Sequence, residues 1–132
     1  MHHTLIITGK VIAGLGEGRR FMSLSGYRKQ FIKKLGIDPY KGTLNLKLSG
    51  ENALKLARIE KMRGITVRGF RKGKKTFGAV ECYEARILGA GCALIIPKRS
   101  RHTDVAEIVA QWRLRSVLGL EDGDRVKVQV AV

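Results

Sequence analysis

Apolar and polar residues alternate along several short stretches of this chain, and that alternation predicts β-strands. The clearest case is Val126, Val128 and Val130, which follow an Asp122-Gly123 turn signal. A second is Leu44, Leu46 and Leu48, which share one face of a strand. The pattern predicts six or seven strands in all. The others lie within residues 5–12, 65–70, 78–88, 92–96 and 105–110. A hairpin joined at residues 89–91 and a basic turn at 71–75 connect some of them.

Helical periodicity is confined to short segments. Tyr27, Phe31 and Leu35 recur at i, i+4 and i+8 before Gly36, which predicts an amphipathic helix with a glycine C-cap. Residues 52–62 form a second predicted helix that Gly64 closes, and 112–118 a helical turn capped by Gly119. Many short strands with so few helices predict a mainly β protein, a small barrel formed by one domain over residues 1–132.

Composition narrows the class of partner. The chain of 132 residues carries a net charge of +15, which favours anionic partners such as nucleotides, phosphorylated substrates or nucleic acid. Aromatic residues are only 6% and do not alternate with the basic runs, which argues against single-stranded nucleic acid. Cys82 and Cys92 lack metal or redox spacing and are expected to be buried thiols. No apolar run approaches a membrane span and no signal peptide is evident, so we expect a cytoplasmic protein without membrane contact.

The segment Gly42-Thr43-Leu44-Asn45 is the most informative for chemistry. Since Leu44 belongs to the buried face, Thr43 and Asn45 share the opposite, solvent-facing side of the strand. Two adjacent neutral oxygens suit a hydrated Mg²⁺ that brings its own phosphates. The alternative is that both side chains are simply solvated.

A glycine-rich segment precedes it, Gly14-Leu15-Gly16-Glu17-Gly18-Arg19-Arg20. It fits neither the dinucleotide fingerprint, which needs glycine at position 19, nor the Walker A pattern, which needs a Lys-Ser or Lys-Thr pair. Three alternate glycines can still direct backbone N–H groups into one anion-binding nest, and the arginines can pair with phosphate. A glycine-rich hairpin with a basic tip is the competing interpretation.

Several motifs in this order resemble the archaeal CTP-dependent riboflavin kinases over roughly residues 5–130. They are G-L-G-E-G-R at 14–19, L-G-I-D-P-Y-K-G-T-L-N-L at 35–46, I-I-P-K-R-S-R-H at 95–102, A-E-I-V-A at 106–110 and the closing L-G-L-E-D-G-D-R-V-K-V. The resemblance implies a six-stranded cradle-loop barrel with a few short helices. It also implies transfer of the γ-phosphoryl group of CTP to the 5′-hydroxyl of riboflavin, which gives FMN and CDP.

The resemblance further implies roles for individual residues. Thr43 and Asn45 match the metal ligands, for one nucleotide-bridged Mg²⁺. Ser100 and Glu107 match flavin-contacting residues. The nucleotide-binding residues match two segments, namely Gly14, Leu15, Gly16, Glu17, Gly18 and Arg19, and then Trp112, Arg113, Leu114 and Arg115. Riboflavin, FMN, CTP and CDP are then the partners, with no nucleic acid, and we expect a monomer.

The chain departs from the family pattern on the flavin side. Ser100 stands where threonine is usual, and the loop from there to Glu107 is one residue short, so Thr103 is an alternative to Ser100. Gln111 stands where proline is common. These departures affect the flavin contacts more than the nucleotide contacts.

Residue chemistry adds to these assignments. Glu107 shares a strand face with Val105 and Val109, and it either protects a sheet edge or orients and deprotonates the acceptor hydroxyl, a catalytic role that we favour. Arg113 and Arg115 are i, i+2 and cannot both face one ligand from a regular helix, so we favour Arg115. Trp112 is expected in the core.

A DNA-binding barrel is the alternative from another class. The ending L-x-L-x-x-G-D-x-V-x-V is also typical of AbrB-like transcription factors, and the charge is strongly basic. Those proteins generally use far shorter chains that form dimers, whereas this chain contains its own second half. Phosphate-backbone binding also needs neither the glycine loop nor the G-T-L-N strand.

Overall fold

The structure is a computed structural model that describes residues 3–14, 24–98 and 104–132. Three short helices accompany the strands: α1 (Ser25–Leu35), α2 (Glu51–Glu60) and α3 (Leu114–Val117). The strands are β1 (Thr4–Ile12), β2 (Leu44–Lys47), β3 (Ile65–Val67), β4 (Phe70–Lys72), β5 (Lys75–Phe77), β6 (Val80–Ile87), β7 (Ala90–Pro97), β8 (Val105–Val109) and β9 (Arg125–Ala131).

Six of these strands close into an antiparallel barrel. Each pairs with two neighbours in the order β1-β2-β8-β7-β6-β9, and β9 returns to β1. The β6–β9 seam that closes the ring is short, with Ala85 opposite Val130 and Arg86 opposite Gln129. On its other edge β9 forms a long pairing with β1, from Thr4 opposite Ala131 to Lys10 opposite Arg125. The small barrel that the strand pattern predicted, with the six strands that the family resemblance implied, is therefore confirmed.

The barrel interior is filled by the side chains at every second position of the strands, which face inward. Leu44, Leu46 and Leu48 are all buried, as their spacing predicted. Ile7 and Val128 pack in the same cluster, and α2 adds Leu56 and Ile59. Gly9 is required at its place because a Cβ there would lie 2.7 Å from Leu48 Cδ2 and 2.8 Å from Leu46 Cβ.

A second apolar cluster lies on the outer side of the barrel wall, beneath α1. Tyr27 and Phe31 of that helix pack with Val80, Ile95 and Val109, all of them buried. The helix ends as predicted at Gly36, whose φ is 69°, and the Ile37 N–H donates to Phe31 O at 3.3 Å. The Gly36 N–H also donates to Ile32 O, four residues back, at 3.1 Å. This is an αL cap, which glycine favours because it has no Cβ. The wall from β6 to β8 is therefore covered on both faces.

The predicted single strand over residues 65–70 is wrong. The structure divides it into β3, which pairs with β6, and β4, which pairs with β5 in a separate hairpin. The break falls at Gly69, where a Cβ would lie 2.3 Å from Phe77 O. Only glycine allows the two backbones to approach so closely. Stacking of Phe70 on Phe77, with ring centroids 5.1 Å apart, holds the hairpin together.

The other predicted boundaries need smaller corrections. The helix predicted from 52 begins at Glu51 and ends at Glu60 rather than running to 62, and Lys61 is its C-cap. The β6–β7 connection is two residues long, not three, because Ala90 and Gly91 pair in the hairpin. The two cysteines are free and buried, as expected. None of the helices within the described ranges has the length and apolar character needed to cross a membrane.

The two turn residues of that hairpin, Leu88 and Gly89, have φ of 49° and 82°. Two consecutive positive φ values are typical of a type I′ turn, which matches the twist of a β-hairpin. Gly89 adopts this conformation without strain, whereas a leucine side chain disfavours it by about 1 kcal/mol. Leu88 is also 77% exposed, so its side chain gains little from packing.

We predict that Leu88→Asn stabilises the protein by about 1 kcal/mol, because asparagine tolerates the left-handed region and Asn-Gly is the preferred type I′ pair. Thermal unfolding should show a rise in Tm of a few degrees. Leu88→Ala is the matched control, since it removes the same exposed side chain but keeps the strain. Equal Tm values for the two variants would contradict the turn assignment.

Candidate active site

The candidate site is built around β2, the shortest strand of the barrel wall. Its Asn45 lies opposite Ile12 of β1 on one side and opposite Glu107 of β8 on the other. Glu107 in turn lies opposite Ile95 of β7. With neighbouring strands about 5 Å apart, Asn45 and Glu107 stand next to each other on the outer face of the barrel. Residues separated by 62 positions in the sequence therefore meet.

The proposed metal ligands Thr43 and Asn45 are in direct contact. Thr43 Oγ1 donates to Asn45 Oδ1 over 3.5 Å, and Asn45 Nδ2 donates to Thr43 O at 3.2 Å. The second bond orients the amide so that its oxygen faces the Thr43 hydroxyl. Gly42, with φ of 153°, precedes them, and the Tyr40 ring lies 3.6 Å from where its Cβ would be.

The expectation that Asn45 faces solvent is wrong. Its exposed fraction is only 9%, and it is the one buried polar or charged residue in the described part of the chain. The reason is that β1 and β8 flank β2 on both sides, so the outward side chain lies between its neighbours. Because a buried amide needs hydrogen-bond partners, the contact with Thr43 fixes its geometry.

The Thr43 and Asn45 side-chain oxygens have a spacing that fits a magnesium ion. Two ligands on neighbouring corners of an octahedron with bonds of 2.0–2.1 Å lie about 3 Å apart, and the two oxygens are 3.5 Å apart as they stand. The described residues contain no group of three or more His, Cys, Asp or Glu side chains that could hold a metal. Both oxygens are neutral, so water or phosphate would have to supply the remaining ligands and the negative charge.

Glu107 is half-buried on the same face as the metal pair. Its neighbours on β8, Ala106 and Ile108, point into the barrel. Val109 is fully buried in the outer cluster, so Glu107 and Val109 share one face as predicted. The edge-protection alternative does not fit, because β8 is paired on both sides, with β2 and with β7.

Gly14 and residues 112–115, which are expected to bind nucleotide, lie at the same end of the barrel. Gly14 is exposed and lies two residues beyond Ile12, the register partner of Asn45. The other expected loop residues, Leu15, Gly16, Glu17, Gly18 and Arg19, lie outside the described residues, as do Ser100 and Thr103. The second segment, residues 112–115, follows β8 at the end where Tyr40 N–H donates to Ala110 O at 2.8 Å.

The side chains of residues 112–115 differ in burial and in their contacts. Leu114 is buried in the barrel core, and Arg113 Nη1 donates to Ser116 Oγ at 2.8 Å. Arg115 forms an ion pair with Asp122 at 2.7 Å, in the turn whose Gly123 N–H donates to Val11 O. Asp122 thereby holds Arg115 beside the end of β1, where the glycine loop begins. Trp112 is 51% exposed, so its expected place in the core is wrong.

Residues that sequence reasoning did not assign also lie around Glu107. A small open pocket is bounded by β7, β8 and α2, and Glu107 and Glu60 are among its lining residues. No local pattern marks Glu60, because it reaches the pocket only through the packing of α2. The cysteines offer no nucleophile, since burial raises the pKa of Cys82 to about 12 and that of Cys92 to about 12.

Comparison with known proteins agrees with the family resemblance of the sequence motifs. Residues 11–130 match the family model CTP-dep_RFKase, which is described as "Domain of unknown function DUF120". The chain is similar to the riboflavin kinase of Archaeoglobus fulgidus, with 46% identity over 96% of this chain and 55% of that protein. It is also similar to those of Methanoregula boonei, with 45% identity over 98% and 58%, and Pyrobaculum islandicum, with 42% identity over 94% and 59%. The chain thus spans a little over half the length of these relatives.

We predict that Thr43→Val weakens metal binding without unfolding the protein, because valine keeps the shape of threonine and removes one oxygen ligand. Binding of Mn²⁺, a paramagnetic substitute for Mg²⁺, can be followed by electron paramagnetic resonance in the presence of CDP. We expect a loss of affinity of about tenfold or more, in line with the loss of one ligand. Thr66→Val, at the exposed position of β3, is the matched control. Unchanged Mn²⁺ affinity in Thr43→Val would contradict the assignment.

Proposed function

Because this chain belongs to the family of archaeal CTP-dependent riboflavin kinases, we propose that it transfers the γ-phosphoryl group of CTP to the 5′-hydroxyl of riboflavin, giving FMN and CDP. The observation that carries the proposal is the row in which Asn45, beside Thr43, stands next to Glu107. In the proposed reaction, this row would bring the ligands of a phosphate-bound metal next to a base for the acceptor. The family match favours the kinase over the AbrB-like DNA-binding alternative.

The end of the barrel at Gly14 and Arg115 would bind the phosphoryl donor, CTP. Phosphoryl transfer depends mainly on positioning and on neutralising the charge of the transferred group. Backbone N–H groups of the glycine-rich loop would bind phosphate oxygens, and the Arg115 guanidinium, held by Asp122 at 2.7 Å, would add positive charge. Trp112, half-exposed at the same end, offers an aromatic face to a nucleobase.

Thr43 and Asn45 would hold one Mg²⁺ through their side-chain oxygens. When bound, the ion would neutralise charge on the β- and γ-phosphates. The chain contributes two neutral ligands, and Asn45 is already buried and oriented by its hydrogen bond to Thr43 O. Little reorganisation is then needed when the nucleotide brings the metal. Without nucleotide, the neutral pair should bind the ion weakly.

Glu107 would orient the ribityl 5′-hydroxyl and accept its proton as the oxygen attacks phosphorus. Its place beside Asn45, about 5 Å away along the strand-to-strand direction, puts the carboxylate within reach of a hydroxyl positioned over the metal pair. The attacking and leaving oxygens must be roughly in line across the phosphorus. The acceptor would therefore enter from the Glu107 side and the CDP leave on the Gly14 side.

We predict that the protein forms FMN from riboflavin with CTP, less well with UTP, and poorly with ATP or GTP. The family assignment supplies the reason for the order of donors, and the assay is separation of flavins after incubation with each nucleoside triphosphate. Equal use of ATP would contradict the donor assignment. Absence of FMN with every donor would contradict the kinase proposal.

We also predict that Glu107→Gln lowers kcat by about 10²–10⁴-fold, the range typical for loss of a general base. Glutamine keeps the shape of the side chain and removes its charge, so the Tm increase caused by CDP should persist. Glu84→Gln, on the exposed side of β6, is the matched control and should keep full activity. A loss of CDP affinity as large as the loss of kcat would show that Glu107 acts on the nucleotide instead.

A further inference from the structure

The hairpin of β4 and β5, residues 70–77, carries four positive charges around its turn, and we call it the basic ribbon. These charges are Arg71, Lys72, Lys74 and Lys75, and every residue from 71 to 76 is exposed. None of the four forms an ion pair with another residue in the described ranges. Lys72 also lies directly opposite Lys75, where like charges destabilise a hairpin. The ribbon therefore concentrates charge in a way that folding alone disfavours.

The surface beside the ribbon is also basic, because two stretches without acidic residues lie together there. Residues 24–37 contain four Lys or Arg, residues 64–80 contain five, and neither stretch contains Asp or Glu. The first stretch includes α1, which lies against β3 of the second. Lys29 and Lys33 are exposed on that helix. Together the helix and the ribbon present a surface that attracts anions.

The ribbon is fastened to α1 at both of its ends. Before β4, the Gln30 amide oxygen accepts from the Arg68 N–H at 2.7 Å, and its nitrogen donates to Arg68 O at 2.9 Å. After β5, Tyr27 Oη donates to Gly78 O at 2.7 Å. The cations of the ribbon thus stand on an anchored hairpin, which lowers the entropy lost when they bind a partner.

The aromatic residues of the ribbon face the protein. The ring centroids of Phe70 and Phe77 lie 4.8 and 6.3 Å from that of Tyr27. Residues 71–76 are Arg, Lys, Gly and Thr only. Single-stranded nucleic acid is usually bound by stacking on exposed rings, and a membrane surface by inserted apolar side chains. The exposed end of the ribbon offers neither, so it fits a partner that displays phosphates on a rigid framework.

The dimensions of the ribbon match the major groove of B-form DNA. Each strand has three residues, so the ribbon is about 10 Å long with strands about 5 Å apart. The groove is about 12 Å wide and about 8.5 Å deep, and it admits a two-stranded β-ribbon. The major groove of A-form RNA is deep and narrow, and side chains have little access to it. The geometry therefore favours DNA over RNA.

We propose that the basic ribbon binds double-stranded DNA without sequence preference, by entering the major groove and pairing its cations with backbone phosphates. Three of its four cations are lysines, which act on phosphate as point charges. The ribbon follows β3, which is three strands from β8 in the sheet order, so this surface is separate from the candidate active site. The inference is independent of the proposed function. It departs from the expectation of no nucleic-acid partner, which rested on the family resemblance.

The test is a titration of fluorescein-labelled duplex DNA with the full chain, followed by anisotropy at several salt concentrations. The ribbon variant combines Arg71→Gln, Lys72→Gln, Lys74→Gln and Lys75→Gln. It should bind the duplex about tenfold or more weakly at low salt. The slope of log affinity against log salt should also become shallower by about 3–4, since each lost phosphate contact removes about 0.9.

A control variant separates the ribbon from net charge. It combines Arg58→Gln, Lys61→Gln, Arg86→Gln and Lys127→Gln, four exposed cations outside the ribbon, so the total charge falls equally. Its salt slope should equal that of the unaltered protein. The ribbon variant should keep or raise the Tm, because the like-charge pair in the hairpin is removed. Weaker DNA binding would then not result from unfolding.

The choice of partner is tested with two further polyanions. Duplex RNA of the same length should bind more weakly than duplex DNA, and poly-L-glutamate at equal charge should compete poorly. Equal binding of RNA or poly-L-glutamate would overturn the major-groove proposal, as would equal losses in the two variants or no DNA binding at low salt. Absence of FMN formation would contradict only the proposed function.

Discussion

The candidate site depends on the pairing of one four-residue strand, β2, with β1 on one side and β8 on the other. This double pairing buries Leu44 and Leu46 inside the barrel and holds Asn45 between its neighbours on the outside. A shift of one residue in either register would exchange these faces and place leucines outside. The same hydrophobic burial that stabilises the barrel therefore fixes the position of Asn45 beside Glu107. No further interaction is needed to align these two residues.

Much of the fold could be predicted from the sequence, because strand alternation and glycine caps are local signals. The strands β2 and β9 and the helix capped by Gly36 follow directly from such signals. The errors occur where a tertiary contact overrides the local pattern. Gly69 interrupts an apolar run because two backbones meet there, and no property of residues 65–70 alone indicates that.

The candidate site was less accessible to sequence reasoning than the fold. The contact between Thr43 and Asn45 follows from their spacing, but the burial of Asn45 depends on strands that are distant in the sequence. The position of Glu107 beside Asn45 is a matter of register, which no pattern around residue 107 specifies. Trp112 shows the opposite error, since large aromatic residues are usually buried and this one is half-exposed at the end of the barrel.

The residues proposed to bind the nucleotide and those proposed to meet the transferred phosphoryl group lie on different parts of the barrel. Residues 14 and 112–115, which we propose to bind the nucleotide, lie on the segments that follow β1 and β8 rather than on the strands themselves. The groups that would meet the transferred phosphoryl lie instead on β2 and β8, both paired on two sides. Because rigid strands hold reacting groups more precisely than loops do, this division suits a reaction whose rate depends mainly on positioning. In the proposed reaction, connecting segments at the end of the barrel would bind the nucleotide, and side chains fixed on paired strands of the wall would meet the transferred phosphoryl group.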